Sequence, residues 1–132
     1  MNPQPDTILV VDDTPANLEV LHTMLAEQGY RVRVASTGEQ AVSSAQASPP
    51  NLILLDIMLP GRISGYDIFD EIKKHPEFQN TPIIAVTASD TDLEVPKAQK
   101  KGFNGYISKP IDRNQFPQDL LKVINGEEVW PE

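Results

Sequence analysis

The fold is decided by the stretch Asn51-Leu-Ile-Leu-Leu-Asp56-Ile-Met-Leu-Pro60, in which four apolar residues lead without a gap into one carboxylate. A gapless apolar run of strand length is typical of a strand covered on both faces, as in the interior of a parallel sheet. The stretch therefore predicts Asp56 at the carboxyl end of a central strand, where open α/β sheets bind ligands. Because a lone Asp after a strand is more often only a turn residue, the other strand ends have to be considered.

Two further gapless apolar runs, residues 8–11 and 82–86, predict two more interior strands. Residues 30–35 alternate between polar and apolar, which indicates a strand at a sheet edge, and residues 106–108 predict a short fifth strand. Helical spacing or helix start and stop residues follow each strand. Five strand–helix units with right-handed crossovers predict an α/β fold with a five-stranded parallel sheet, in the order 2-1-3-4-5, and helices on both faces.

The fourth helical region contains Pro96. Proline removes one N–H and clashes with the carbonyl one turn back, at a cost of about 3 kcal/mol in a helix interior. We therefore expect a loose stretch after the fourth strand and a short helix that begins near Pro96.

The composition limits the possible functions of this 132-residue chain, whose length suits a single domain. The net charge of −8 argues against nucleic acid as a direct ligand. No apolar run approaches the roughly 18 residues of a membrane span, so we expect no membrane partner. Neither a secretory signal nor a cysteine is present, and we expect a cytoplasmic protein.

Polar side chains end the predicted strands: Asp12 and Asp13 after the first, Asp56 after the third, Thr87 after the fourth and Lys109 after the fifth. If these ends converge, the carboxylates repel one another, by roughly 4 kcal/mol for two charges 4 Å apart at an effective dielectric constant near 20. Such a cluster needs a cation or protons. Oxygen ligands without His or Cys favour Mg²⁺. An Asp nucleophile beside a metal, an ammonium and a hydroxyl suits phosphoryl transfer to a carboxylate.

Four segments carry a resemblance to a known family: Val-Val-Asp12-Asp13, Leu-Leu-Asp56, Val-Thr87-Ala88 and Ser-Lys109-Pro110. In type and spacing they resemble the receiver domain of two-component response regulators, whose fold is flavodoxin-like. The resemblance covers about residues 7–124. It predicts a receiver domain over residues 6–125 and a short acidic tail over 126–132, without an output domain.

The resemblance implies a role for each matched residue. Asp56 is expected to accept a phosphoryl group from a phosphohistidine of a sensor histidine kinase or phosphotransfer protein. Asp13 is expected to bind Mg²⁺ directly, and Asp12 mainly through water. The Met58 main-chain carbonyl is expected to be a further ligand. Lys109 is expected to pair with the phosphoryl oxygens, before a cis bond to Pro110.

A switch is implied by two more residues. The Thr87 hydroxyl would move to bond the phosphoryl group, and Tyr106 would turn inward into the space that Thr87 leaves. A phosphoryl group adds about −1.5 to −2 charges and three acceptors, so it favours the arrangement that satisfies them. Arg62 lies on a loop one residue longer than the commonest family pattern. Arg62 could reach the site or a partner, although an arginine on a loop is more often simply exposed to solvent.

The predicted function is that of a phospho-accepting signalling module, not an enzyme that turns over a metabolite. We expect its downstream target to be a protein. We also expect the chain to be a monomer or a weak homodimer. The alternative is an intermediate that passes phosphate along a multistep phosphorelay. An aspartyl-phosphate hydrolase would need a second Asp where Thr14 stands. A flavin carrier would need a phosphate-binding loop where Asp12 and Asp13 would repel phosphate.

Overall fold

The computed structural model describes residues 6–57, 64–88 and 90–131. In these residues, strands and helices alternate along the chain. The strands are β1 (Thr7–Val11), β2 (Arg31–Ala35), β3 (Leu52–Leu55), β4 (Ile83–Thr87) and β5 (Gly105–Ser108). The helices are α1 (Pro15–Glu27), α2 (Gly38–Ala47), α3 (Gly65–Lys73), α4 (Thr91–Lys101) and α5 (Phe116–Ile124), and a short 3₁₀ helix, Pro76–Phe78, precedes β4. None of these helices is of the length and apolarity needed to cross a membrane.

The sheet is parallel throughout and has the order β2-β1-β3-β4-β5. The predicted strand order is therefore confirmed. Every residue of β3 and β4 is buried, whereas β2 at the edge is largely accessible, with Val34 47% exposed. The chain order reverses between β1 and β3, which places a crevice at the carboxyl ends of these two strands.

The core consists of two layers, one on each face of the sheet, because neighbouring residues of a strand point to opposite faces. Leu9, Ile53 and Ala85 pack in one layer with residues of α2, α3 and α4. Leu54 and Ile84 pack in the other with residues of α1 and α5. Burying one large aliphatic side chain stabilises the fold by about 1.5–3 kcal/mol, so the interior strands hold the crevice firmly in place.

A capping box starts α3, the helix that follows the third strand. The Ser64 hydroxyl accepts the Asp67 N–H at 3.3 Å, and the Asp67 carboxylate accepts the Ser64 N–H at 3.1 Å. Each side chain satisfies a backbone donor that the first helical turn leaves without a partner. This box fixes the start of α3 at Gly65.

The expectation that the fourth helix begins near Pro96 is wrong. Pro96 lies inside α4, which begins five residues earlier. The Asp90 side chain caps the helix by accepting the Asp92 N–H at 2.9 Å, and the Glu94 N–H donates to the Asp90 carbonyl at 2.9 Å. The carbonyl that loses its donor to Pro96 belongs to Asp92, which is exposed, so water can satisfy it. A capped first turn and an exposed position together accommodate the proline.

Candidate functional site

The backbone ladder of the sheet continues past the ends of β1 and β3 and fixes the residues that follow them. The Asp12 N–H donates to the Ala35 carbonyl at 3.1 Å, and the Asp56 N–H donates to the Val11 carbonyl at 3.0 Å. Both acidic residues are therefore placed by main-chain hydrogen bonds to neighbouring strands, independently of their side chains.

The structure brings together the three carboxylates expected at this edge. One carboxylate oxygen from each of Asp12, Asp13 and Asp56 lies within 4.8 Å of the others. Asp12 and Asp56 are buried, with 1% and 7% of their surface exposed, and Asp13 is partly exposed. Water therefore reaches the cluster from the side of Asp13.

Lys109 reaches the same cluster from the end of β5. Its Nζ donates to Asp12 Oδ2 at 2.8 Å and to Asp56 Oδ2 at 3.1 Å. The main chain holds this lysine in place, because its N–H donates to the Thr87 carbonyl at 2.9 Å. The peptide bond between Lys109 and Pro110 is cis. We call Asp12, Asp13, Asp56, Thr87 and Lys109 the acidic rim.

The charge of Lys109 is stabilised by its two partners. Burial by itself lowers the pKa of this ammonium, but the hydrogen bonds that it donates to Asp12 and Asp56 and the charges of both carboxylates outweigh it. The pKa of Lys109 therefore lies above its ordinary value, and the side chain stays protonated at neutral pH. It supplies a fixed positive charge between the two buried carboxylates.

Thr87 and Tyr106, the two residues of the expected switch, are both buried. Thr87 has 0% and Tyr106 has 1% of its surface exposed, and the Tyr106 ring belongs to the core layer beneath α3 and α4. The tyrosine thus points inward in this structure. Met58 and Arg62, a predicted metal ligand and a predicted loop contact, lie outside the described residues.

Gly65 is a site residue that sequence reasoning did not single out. A Cβ at this position would lie 2.3 Å from Ile57 Cα and 2.6 Å from the Asp56 carbonyl oxygen. Only glycine lets α3 approach the backbone of the central carboxylate so closely. The sequence did contain one signal, a glycine in the first turn of a helix. Because glycine has a low helix propensity, its presence there indicates a packing requirement.

Thr14 also supports the site in a way that the sequence did not indicate. Its backbone N–H donates to Asp12 Oδ1 at 3.0 Å, while Oδ2 of the same carboxylate accepts from Lys109. Both oxygens of Asp12 are therefore held in position.

The donors of the acidic rim fit a hard divalent cation. Three carboxylates and one ammonium leave two negative charges uncompensated within this group of four side chains. Carboxylate oxygens beside solvent suit Mg²⁺, which uses one or two carboxylates and retains several waters. The described residues of this cluster include no His, so softer metals gain no preferred ligand here.

The chain belongs to the response regulator receiver domain family, whose model matches residues 8–121. It is therefore the receiver domain of a two-component signalling system. Such domains are signalling modules rather than enzymes of metabolism. They bind Mg²⁺ in an acidic pocket and interact with histidine kinases or phosphotransfer proteins and with downstream targets.

Three relatives illustrate the match. Protein PilH of Pseudomonas aeruginosa is 33% identical over 119 residues, which cover 90% of this chain and 94% of PilH. The signal transduction histidine-protein kinase BarA of Escherichia coli is 34% identical, over 93% of this chain but only 13% of BarA. Among solved structures, the receiver domain of the sensor histidine kinase PA1611 from Pseudomonas aeruginosa has a TM-score of 0.83 and 34% identity. The alignment covers 92% of this chain and 99% of that domain, which holds a magnesium ion in its active site cleft.

Proposed function

We propose that this receiver domain accepts a phosphoryl group on Asp56 from a phosphohistidine, with Mg²⁺ bound at the acidic rim. The observation that carries the proposal is the bridge from Lys109 Nζ to Asp12 and Asp56 inside a cluster of three carboxylates. A single ammonium leaves this cluster negative, so it favours a divalent cation. The proposed module spans residues 6–125, and the family match over 8–121 supports these limits.

In the proposed reaction, a carboxylate oxygen of Asp56 attacks phosphorus as the bond between phosphorus and the histidine nitrogen breaks. The products are an acyl phosphate on Asp56 and a neutral imidazole on the donor protein, because the other ring nitrogen carries a proton when the phosphoryl group leaves. Bound Mg²⁺ would neutralise charge on the phosphoryl oxygens, with Asp12, Asp13, Asp56 and the Met58 carbonyl as its proposed protein ligands.

The remaining residues of the rim position and stabilise the phosphoryl group. Lys109 exchanges its contact with the Asp56 oxygen for a contact with the phosphoryl oxygens, while its bond to Asp12 keeps it oriented. Thr87 supplies a hydroxyl donor from the end of β4. Because these donors meet the phosphoryl group in one arrangement only, phosphorylation favours that arrangement and the inward position of Tyr106.

We propose that the phosphoryl donor is a sensor histidine kinase or a phosphotransfer protein. The downstream target is proposed to be another protein. The match to a region of the histidine-protein kinase BarA supports a donor of this kind. Self-phosphorylation from small phosphodonors and slow self-dephosphorylation follow from the same site. The cytoplasmic location and the monomer or weak homodimer stay predictions from the sequence.

The proposal is tested with acetyl phosphate as the donor. In the presence of Mg²⁺, the intact mass of the protein should increase by one phosphoryl group, and mild base should remove it because acyl phosphates hydrolyse readily. Asp56→Asn should abolish the labelling. Asp70→Asn, on the exposed side of α3, is the matched control and should label normally.

Chelation of Mg²⁺ by EDTA should also stop the labelling. If Asp56→Asn still takes up the group, or if EDTA leaves the rate unchanged, the proposed site is wrong. Transfer of the label from Asp56 to a histidine phosphotransfer domain would instead assign the chain to an intermediate position in a phosphorelay.

A further inference from the structure

Residues 127–131, which we call the edge segment, lie along the outer side of β5. The Tyr106 N–H donates to the Val129 carbonyl at 2.9 Å, and the Val129 N–H donates to the Asn104 carbonyl at 3.1 Å. These bonds form an isolated parallel bridge between Gly105 and Val129. The edge segment therefore covers the backbone groups that an edge strand would otherwise leave exposed.

The turn after α5 directs the chain onto β5. Gly126 has a φ of +93°, a conformation that favours glycine, and its N–H donates to the Val123 carbonyl at 3.0 Å. The Glu127 N–H donates to the Lys122 carbonyl at 2.9 Å. The approach of the edge segment is thus set by a capped helix end.

Gly105 makes the contact possible. A Cβ on this residue would lie 2.6 Å from the Val129 carbonyl oxygen. The φ of Gly105 lies outside the left-handed region, so the absence of a side chain serves the close approach of the two backbones. An alanine here would be compatible with β5 but not with the edge segment.

The two apolar side chains of the edge segment pack on opposite sides of the sheet, as in a strand. Val129 contacts the core layer of α1 and α5. Trp130 contacts the layer that contains the ring of Tyr106, and its Nε1 donates to Glu128 Oε1 at 2.9 Å. Trp130 and the Tyr106 ring thus belong to the same core layer, and the Tyr106 amide is bonded to Val129.

Space for an outward ring exists beside this contact. Trp130 and Tyr106 both line a groove of about 470 Å³ next to α5. A tyrosine gains by placing its hydroxyl in water and its ring against an apolar surface. A Tyr106 ring that turned outward would enter the groove that Trp130 also lines.

We propose that the edge segment is a latch that holds Tyr106 in its buried position. Opening of the latch breaks the Val129 bridge, removes Trp130 from the core layer and lets the Tyr106 ring turn into the groove. One isolated bridge and two partly buried side chains hold the latch, whereas a full ladder joins β4 to β5. The latch is therefore the part of this edge that opens first. The inference goes beyond the proposed function, because it does not require phosphorylation of Asp56.

The test combines one probe of the edge segment with one probe of Tyr106. The chain has one tryptophan and three tyrosines. Trp130 fluorescence and its quenching by acrylamide therefore report the edge segment directly. Fluorotyrosine labelling gives three ¹⁹F resonances, Tyr106→Phe assigns one of them, and the H₂O/D₂O isotope shift reports its exposure.

Gly105→Ala is the main variant, since its Cβ expels the edge segment without changing the segment's sequence. We expect a red shift and stronger quenching of Trp130, together with an exposed Tyr106 resonance. Gly38→Ala is the matched control, because its Cβ would meet only the Ile68 side chain, and it should change neither probe.

Two results would overturn the proposal. One is a Gly105→Ala protein in which Trp130 becomes exposed while Tyr106 stays buried, because the core alone would then hold the ring. The other is unchanged Trp130 emission, because the edge segment would then not occupy β5. If Gly105→Ala does not fold, Trp130→Ala is used instead, with the ¹⁹F resonance of Tyr106 as the readout. Its control is Leu121→Ala, because Leu121 is exposed on α5. A buried Tyr106 in Trp130→Ala contradicts the latch.

Discussion

The acidic rim and the β5 edge belong to the same sheet but are held by different means. The carboxylates of the rim lie at the ends of β1 and β3, which are paired on both sides, and backbone hydrogen bonds place Asp12 and Asp56. The β5 edge is paired with β4 on one side only, and an isolated bridge to Val129 covers the other side. Many backbone hydrogen bonds therefore fix the carboxylates of the rim, whereas the outer side of β5 depends on a few contacts.

The comparison shows how a rigid site and a movable surface can share one fold. Chemistry at a carboxylate needs donors that keep their positions, which a buried parallel ladder provides. A signal needs an element with two arrangements that are close in free energy, which a weakly held edge provides. Tyr106 lies on β5, on the same strand that leads to Lys109 of the rim, and its N–H bonds the edge segment.

The largest effect should come from breaking the rigid region at Gly65. A Cβ at 2.3 Å from Ile57 Cα forces the backbone beside Asp56 to move. We expect Gly65→Ala to lower the free energy of unfolding in urea by more than about 3 kcal/mol. Gly38→Ala changes the same residue type at the start of α2, and its effect should stay within about 1 kcal/mol. Equal effects of both substitutions would contradict the assigned role of Gly65.

Removing the ammonium from the rim should be the next largest effect. Lys109→Met leaves the carboxylates of Asp12 and Asp56 buried without their shared partner. Because breaking a buried ion pair costs roughly 3–5 kcal/mol and Lys109 is slightly exposed, we expect a loss of about 3 kcal/mol in EDTA. Mg²⁺ should restore part of this loss. The control is Lys101→Met, whose exposed pair with Asp70 should contribute less than about 1 kcal/mol.

Binding of Mg²⁺ should stabilise the rim and leave the β5 edge unchanged. At a hundredfold excess over the dissociation constant, a ligand of the folded state adds about 2.7 kcal/mol to the free energy of unfolding. EDTA should remove this increment, and Asp13→Asn should reduce it by weakening the affinity. Trp130 fluorescence should not respond to the metal alone. An increment that persists in Asp13→Asn would exclude that carboxylate from the metal site.

The smallest effect concerns the contact between α3, behind the rim, and α4, which packs on β5. The Tyr66 hydroxyl donates to the Glu94 carboxylate. Burial, then this hydrogen bond and the charge of Glu94, raise the pKa of Tyr66 above its ordinary value of 10.0. The folded state therefore favours the protonated phenol, and this contribution is complete below pH 10.0 and is lost as the pH rises above it.

Tyr66→Phe should accordingly cost about 1 kcal/mol near neutral pH, as expected for one hydrogen bond. The difference from the unmodified protein should shrink as the pH rises above the ordinary tyrosine pKa. Urea unfolding at several pH values measures it. A difference that grows with pH would contradict the assigned direction.

The fold was largely predictable, because its signals are local. Residues 8–11, 52–55 and 82–86 are gapless apolar runs, and a strand covered on both faces leaves that pattern. The alternation of residues 30–35 marks an edge for the same reason. The position of α4 was not predictable from Pro96, since a proline cost of about 3 kcal/mol is only one contribution among capping, exposure and packing.

The convergence of the acidic rim was predictable, but its contacts and its supporting residues were not. Parallel strands end at one edge, so the strand order implies that Asp12, Asp13, Asp56 and Lys109 come together. The sequence does not say which carboxylate oxygens Lys109 meets. The need for glycine at Gly65 was also hidden, because it arises from a helix that packs against a distant strand end.

Amino-acid order alone thus determined the five strands, their arrangement and the residues that line the rim, because apolar periodicity and chain connectivity are properties of neighbouring residues. Folding in three dimensions decided that Lys109 bridges Asp12 and Asp56, that Tyr106 is buried and that Trp130 packs against the same core layer. These contacts join residues far apart in the chain, and their free energies depend on how whole helices and strands pack. No pattern within a short stretch of sequence carries that information.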